Sequence, residues 1–289
     1  MLKKIIIGTA SFGNYYGVAN NKKLNFLSCK KIISFCKKKD IFFFDTAPNY
    51  KRSEEYIGKS NICGLKVYTK IKDIHNTNFS EVFKEIKKSI LNSIKLTRVK
   101  ELEGVYIHNS QFYKKKNHNL VWRSLQKLKN QKIIKRIGIS VYTAEDLCEI
   151  LKLYTPDIVQ APISIFNRDF LNSKILKLKH KYKFKLYARS IFLQGLLLQS
   201  DSVLKKKFKI RSPFFYKYEK WVKKQKLTKL EASFNFVLQN KNIDKIILGI
   251  NSLTHLKQIL NTRAKKVNFK SRLLLDDMHF KDPRFWKIQ

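Results

Sequence analysis

The stretch Ile41-Phe42-Phe43-Phe44-Asp45-Thr46-Ala47-Pro48-Asn49-Tyr50 joins an unbroken apolar run to an acid and then to a phenol. Such a run reads as a buried strand. A barrel of parallel strands keeps its chemistry at the strands' C-terminal ends, so Asp45 and Tyr50 become the first candidates for a site.

Two further strand ends carry ionisable groups. Leu65-Lys66-Val67-Tyr68-Thr69 closes on Lys70, and Leu102-Glu103-Gly104-Val105-Tyr106-Ile107 closes on His108. Just after the opening stretch come Ser53-Glu54 and Ile57-Gly58, which complete the pattern D-T-A-x-x-Y-x-x-S-E-x-x-I-G. That pattern resembles the aldo/keto reductase family. The family's catalytic set is an Asp and a Tyr in this motif, a Lys at the end of the next strand and a His at the end of the one after. The resemblance implies that Asp45, Tyr50, Lys70 and His108 form a catalytic tetrad. Each has a bland reading alone: a cap, a packed ring, a solvated ammonium, a satisfied core imidazole. Their joint occurrence in order at three successive strand ends is what gives the pattern weight.

The chemistry asks for these residue types. Tyrosine is a poor acid, with an ordinary pKa of about 10. A neighbouring ammonium favours the phenolate, so Lys70 is expected to lower the pKa of Tyr50 and make it a proton donor to a carbonyl oxygen. Asp45 would hold Lys70, and His108 would orient the carbonyl or assist proton delivery. Hydride must come from a cofactor, because no side chain donates one.

What the resemblance adds is a nicotinamide dinucleotide, NADPH in the first place with NADH as the second candidate. The opening Gly8-Thr9-Ala10, with Phe12-Gly13 and Tyr16-Gly17, is similar to the family's and assigns Thr9 to cofactor binding. Ser140 after the fifth strand and Gln160 on the sixth match the residues that hold the carboxamide, while Val141 stands where the family has Asn. The segment Ala188-Arg189-Ser190-Ile191-Phe192-Leu193-Gln194-Gly195-Leu196-Leu197 resembles a bacterial branch with A-R-S-x-F-x-Q-G-L-L. It brings Arg189, Ser190, Leu193, Gln194 and Gly195 to the cofactor. Arg189 replaces an aromatic residue, and its planar guanidinium can lie against a ring as that residue would. The alternative has Arg189 turned toward a carboxylate or phosphate, with Phe192 covering the ring. Gly249, Asn251 and Ser252 open the last helix and are expected to cradle phosphate. The usual Arg after the Ser and the terminal Glu-Asn pair are missing, with Gln258 and Ile259 at the latter positions.

Strand and helix alternate about eight times along the chain, which predicts a single (β/α)8 TIM barrel over residues 1–289. A doubly wound open sheet is the runner-up. Gly8-Thr9-Ala10-Ser11-Phe12-Gly13 lacks the middle glycine that a dinucleotide turn of that fold requires. The rhythm breaks at residues 189–240, read as a long loop with an apolar part, Ile191 to Leu198, and an extra helix at Thr228 to Gln239. Residues 264–289 form a tail in which Asp282-Pro283-Arg284-Phe285-Trp286 either borders the substrate pocket or anchors by packing.

Hydrophobic residues make up 44% of the 289, ample for a large core. Lys and Arg number 61 against 21 acids, a formal charge of +40. The excess is mostly Lys and is spread from end to end, whereas nucleic-acid binders concentrate charge and favour Arg. The expected partner is a small carbonyl compound, with no specific nucleic acid and no membrane. Cys29, Cys36, Cys63 and Cys148 are scattered, without metal-ligand spacing, and the apolar start is too short for a signal peptide. Both features suit a cytoplasmic protein without a metal. Two other readings stand beside the reductase: a cofactor-binding regulatory barrel with little turnover, and a barrel that moonlights on nucleic acid.

Overall fold

The structure, a computed structural model, describes residues 1–17, 23–208, 213–265 and 267. The tail segment Asp282 to Trp286 lies outside the described residues. Parallel strands β1 (Ile5–Gly8), β2 (Phe43–Asp45), β3 (Lys66–Ile71), β4 (Gly104–Ile107), β5 (Ile137–Ser140), β6 (Ile158–Pro162), β7 (Lys185–Arg189) and β8 (Lys245–Gly249) follow one another around a closed barrel. Closure is made where Ile5 to Gly8 run in register with Ile246 to Gly249. The fold is therefore the expected (β/α)8 barrel and not an open sheet.

Side chains alternate along a strand, so the residue two places before each site candidate faces the same way. Those positions hold Phe43, Tyr68, Tyr106, Ile158 and Tyr187, which pack with Ile6 and Ile247 into one cluster. Barrel interiors are filled by such layers, and this one forms a floor beneath the candidate site. The Tyr68 and Tyr187 hydroxyls meet at 3.2 Å, and the Tyr68 and Tyr106 ring centroids lie 5.9 Å apart. Neighbouring strands make room with glycine: a Cβ on Gly138 would lie 2.4 Å from the Tyr106 ring, and one on Gly104 would lie 2.8 Å from Tyr68.

The second core layer lies between the strands and the helices, α1 (Phe26–Lys38), α2 (Ser53–Lys59), α3 (Phe79–Thr97), α4 (His118–Asn130), α5 (Ala144–Leu153), α6 (Ser173–Tyr182), α7 (Asp201–Phe208), α8 (Pro213–Lys224), α9 (Lys229–Gln239) and α10 (Leu253–Leu260). Side-chain caps start many of them. Thr143 accepts from the Asp146 amide, and Thr228 and Glu231 form a capping box. In α3 the buried stripe is Val82, Ile86 and Ile90, extended by Ser93 and Thr97, while Leu91 is 43% exposed and lies off it.

Three readings of the sequence need correction. The fifth strand, which the sequence suggests over Gln131 to Ser140, starts at Ile137, because Lys132 takes a left-handed conformation (φ 57°) and the Ile133 amide folds back onto Leu128. The fourth starts at Gly104, with Leu102 making only an isolated bridge to Ile134. Among the described residues of 189–240 there are three α-helices instead of one, with a 3-10 segment at Leu193–Leu198 before them. Pro213 at the first position of α8, where its missing N–H costs nothing, and Phe215, Tyr218 and Val222 on its buried face were the available signals.

Candidate active site

Asp45 ends β2 and Lys70 lies near the end of β3, and both are almost wholly buried. Lys70 Nζ donates to Asp45 Oδ1 at 2.7 Å and to the Thr46 carbonyl at 2.9 Å. Gln160 Nε2, arriving from β6, donates to Asp45 Oδ2 at 2.8 Å. Both carboxylate oxygens are thus occupied. A buried ion pair offsets its loss of hydration only when its remaining valences are met, and here both carboxylate oxygens and two of the three ammonium protons have partners.

The turn after β2 is held by a hydroxyl relay. Thr9 Oγ1 donates to the Asp45 carbonyl at 2.9 Å and lies 2.6 Å from Ser53 Oγ, which in turn lies 2.9 Å from Thr46 Oγ1. Thr9 therefore braces the turn that carries Tyr50. The Tyr50 ring is half-buried, and Lys70 Nζ sits 5.1 Å from its centroid.

The expected lowering of the Tyr50 pKa is not found. Burial pushes the phenol up from its ordinary value, the Asp45 carboxylate pushes it further, and the Arg189 guanidinium offsets part of the rise. The consequence is a phenol that stays protonated at neutral pH. His108, just past β4, moves the other way. Burial, then the Lys70 and Arg189 charges, bring its imidazole down to about 4, so it is neutral at pH 7. It can donate a hydrogen bond from one ring nitrogen but supplies no positive charge.

These groups face one cavity of about 590 Å³ at the C-terminal mouth of the barrel. Of the residues singled out in the sequence, Asp45, Tyr50, Lys70, His108, Thr9, Ser140, Gln160, Arg189, Ser190, Gln194, Gly195, Gly249, Asn251 and Ser252 all line it. Leu193 does not: its side chain is 1% exposed and packs into the core. Ser140 Oγ and Gln160 Oε1 meet at 3.3 Å, so the two residues matched to the carboxamide are bonded to each other and, through Gln160, to Asp45.

Beyond β7 the backbone turns sharply. Ser190, Leu193 and Gln194 take positive φ, followed by Gly195 at φ 93°. This alternation turns Leu193, Leu196 and Leu197 into the core while Gln194, Gly195, Leu198 and Gln199 face the cavity. Across the mouth, Ser252 caps α10 by accepting from the His255 amide at 3.0 Å. Arg189 stands between these regions and the tetrad. Its Nη2 donates to the Val141 carbonyl at 3.0 Å, its Nη1 to Ser190 Oγ at 3.3 Å, and its guanidinium lies 4.2 Å from the Tyr142 ring centroid.

Tyr142 and His255 line the cavity and were not singled out in the sequence. Tyr142 follows Ser140-Val141 directly, so its place after a strand end was the signal. Both ring nitrogens of His255 are buried without a hydrogen-bond partner among the described residues. Among the described residues no group of His, Cys, Asp and Glu could hold a metal ion, and no helix is long and apolar enough to cross a membrane.

The cavity fits a dinucleotide by its own features. It is lined by amide and hydroxyl groups at Ser140 and Gln160, by the left-handed turn at Gln194 and Gly195, and by the start of α10. The sequence model described as "Aldo/keto reductase family" matches residues 4–271. Solved structures give the same fold. An aldo-keto reductase from Bacillus halodurans in its holo form superposes with TM-score 0.74 at 15% identity, covering 93% of this chain and 89% of that one. A glycerol dehydrogenase from Gluconobacter oxydans gives 0.68 at 19%, covering 92% and 88%. An aldo-keto reductase from Pseudomonas aeruginosa gives 0.65 at 18%, covering 90% and 89%. No curated protein sequence matches this chain.

Proposed function

The chain belongs to the aldo/keto reductase family, and on that premise we propose that it reduces an aldehyde or ketone to an alcohol with hydride from NAD(P)H and a proton from Tyr50. Membership makes it a carbonyl oxidoreductase in general terms. One observation carries the finer reading: a protonated phenol, a buried Lys70–Asp45 pair beneath its ring and a neutral imidazole share one cavity.

When bound, the reduced nicotinamide supplies the hydride that side chains lack. Thr9, Ser140, Gln160, Arg189 and Ser190 would hold the nicotinamide end. Gln194, Gly195, Gly249, Asn251 and Ser252 would take the phosphates, and Leu193 would contribute backbone only. Gln160 must then share its amide between Asp45 and the ligand.

The chain's own part is proton delivery. Tyr50 is protonated before reaction, and negative charge growing on the carbonyl oxygen draws its proton. The phenolate left behind has the ammonium of Lys70 at 5.1 Å from its ring centroid, fixed by Asp45 and the Thr46 carbonyl, with Gln160 holding Asp45 in turn. His108 donates a hydrogen bond to the carbonyl oxygen and so selects its orientation. NADPH is the preferred form in this reading, because a chain of +40 attracts the extra phosphate. The four cysteines are free, in keeping with a cytoplasmic setting.

One observation favours a second reading, a cofactor-binding barrel with little turnover: the upward-pushed phenol of Tyr50 is a weaker acid than a free tyrosine. Oxidation of NADPH and NADH in the presence of a panel of aldehydes and ketones separates the two. The reductase reading expects substrate-dependent turnover with lower KM for NADPH. Cofactor binding without turnover across the panel favours the regulatory barrel.

A further inference from the structure

Among the residues that line the cavity, Asp45 is the sole carboxylate, while Lys70 and Arg189 are both cations. Asp45 is spent on Lys70 at 2.7 Å. No carboxylate among the described residues pairs with Arg189, whose contacts are a carbonyl, a hydroxyl and an aromatic face. Its Nε is buried and has no hydrogen-bond partner among the described residues. A half-buried guanidinium has lost hydration that these neutral contacts, the ones it makes among the described residues, restore only in part.

The missing anion is sought in the direction the side chain takes. Arg189 ends β7, yet it reaches across β6 to Val141 and Tyr142, which follow β5. The groups suited to the cofactor's phosphates, Gly249, Asn251 and Ser252, follow β8 on the other side of β7. The guanidinium has thus turned away from the phosphate end and toward the tetrad. Its charge is felt by Tyr50 and His108, the groups that would meet a carbonyl. Stacking on Tyr142 fixes its plane in advance, which suits paired hydrogen bonds to a carboxylate.

We propose that Arg189 determines substrate class at this site by binding a carboxylate on the carbonyl compound, which makes the substrate an oxo acid or aldehyde acid. This rests on the reductase reading given above. The net charge of +40 acts in the same sense, by drawing anions toward the mouth.

The test compares 4-carboxybenzaldehyde with its neutral methyl ester under NADPH, at low salt, in wild type, Arg189→Gln and Arg189→Lys. The ester's carbonyl is the more electrophilic, so a preference for the acid cannot be electronic. The ratio of kcat/KM values, acid over ester, is expected to be about tenfold or more in wild type, carried by KM. It should fall to about one in Arg189→Gln and stay above one in Arg189→Lys. The ratio divides out any general loss of activity in the variants. A ratio near one in wild type, or one that Arg189→Gln leaves unchanged, overturns the inference.

Calorimetry with benzoate and benzamide, with and without saturating NADPH, gives a second readout that needs no turnover. Benzoate should bind wild type about tenfold or more tightly than Arg189→Gln in both conditions, and benzamide should not distinguish them. Loss of benzoate binding when NADPH saturates the protein would show that a cofactor phosphate occupies Arg189, and would also overturn the inference. Arg189-dependent benzoate binding without reduction of any carbonyl would leave the anion site standing and refute the reductase reading.

Discussion

The two sides of the barrel mouth are finished to different degrees. On the β2–β3 side, Asp45 accepts from Lys70 and Gln160, and Lys70 donates to Asp45 and Thr46, all within 2.9 Å. On the β7–β8 side, Arg189 Nε and both nitrogens of His255 are buried with no hydrogen-bond partner among the described residues. The first arrangement suits charges that must stand ready before a substrate arrives. The second leaves the Arg189 guanidinium at the cavity without a carboxylate partner among the described residues, so an anionic ligand can supply one.

The sharpest way to break this contrast is to remove Lys70. Lys70→Met leaves Asp45 as a buried charge held by Gln160 alone, and it should cost about 3–5 kcal/mol of stability together with most activity. Urea denaturation measures the first, and a loss under about 1 kcal/mol would mean that the pair is not committed as described.

Next in size is the tyrosine floor that carries both sides. Gly138→Ala pushes a methyl against the Tyr106 ring, which has no open space to move into. Overpacking of this kind costs about 1–3 kcal/mol. Thermal melts against the control Gly64→Ala separate packing from backbone effects. Gly64 has nothing within 4 Å but a φ of +81°, so its cost is conformational only.

His108 tests the electrostatics of the committed side. The folded protein keeps it neutral down to about pH 4, where an unfolded chain protonates it near 6.5. The unfolded state therefore binds more protons in that window, and stability is lost as pH falls from about 6.5 toward 4. NMR titration of the imidazole should show no protonation at pH 6. A midpoint near 6.5 would put His108 in solvent.

The smallest effect is expected at His255. Its ring nitrogens make no hydrogen bond, so His255→Leu should change stability by no more than about 1 kcal/mol, in either direction. A larger loss by chemical denaturation would reveal a partner and erase the difference between the two sides.

The sequence made the committed side far easier to read than the open one. Asp45, Lys70 and His108 are legible because a strand's period of two and its abrupt end fix where a terminal side chain points. Thr143 and Thr228 cap their helices through local contacts, a kind of signal that needs no tertiary information. The open side depends on long-range geometry. Nothing in Ala188-Arg189-Ser190 says that the guanidinium crosses β6 to stack on Tyr142, or that left-handed turns bury Leu193 while exposing Gln194. The sign of the Tyr50 shift is hidden in the sequence for a related reason. Lys70 is legible as a nearby charge, while the burial of the phenol and the proximity of Asp45 arise only when the barrel closes.

In the proposed reaction Tyr50 gives the proton that completes carbonyl reduction. Single-turnover mixing of enzyme-bound NADPH with a carbonyl that wild type reduces, following cofactor absorbance and alcohol formed, tests it in wild type and Tyr50→Phe. The account predicts one alcohol per NADPH consumed, a rate about 10²–10⁴-fold lower in Tyr50→Phe, and NADPH affinity nearly unchanged. An equal rate in the two proteins would contradict it.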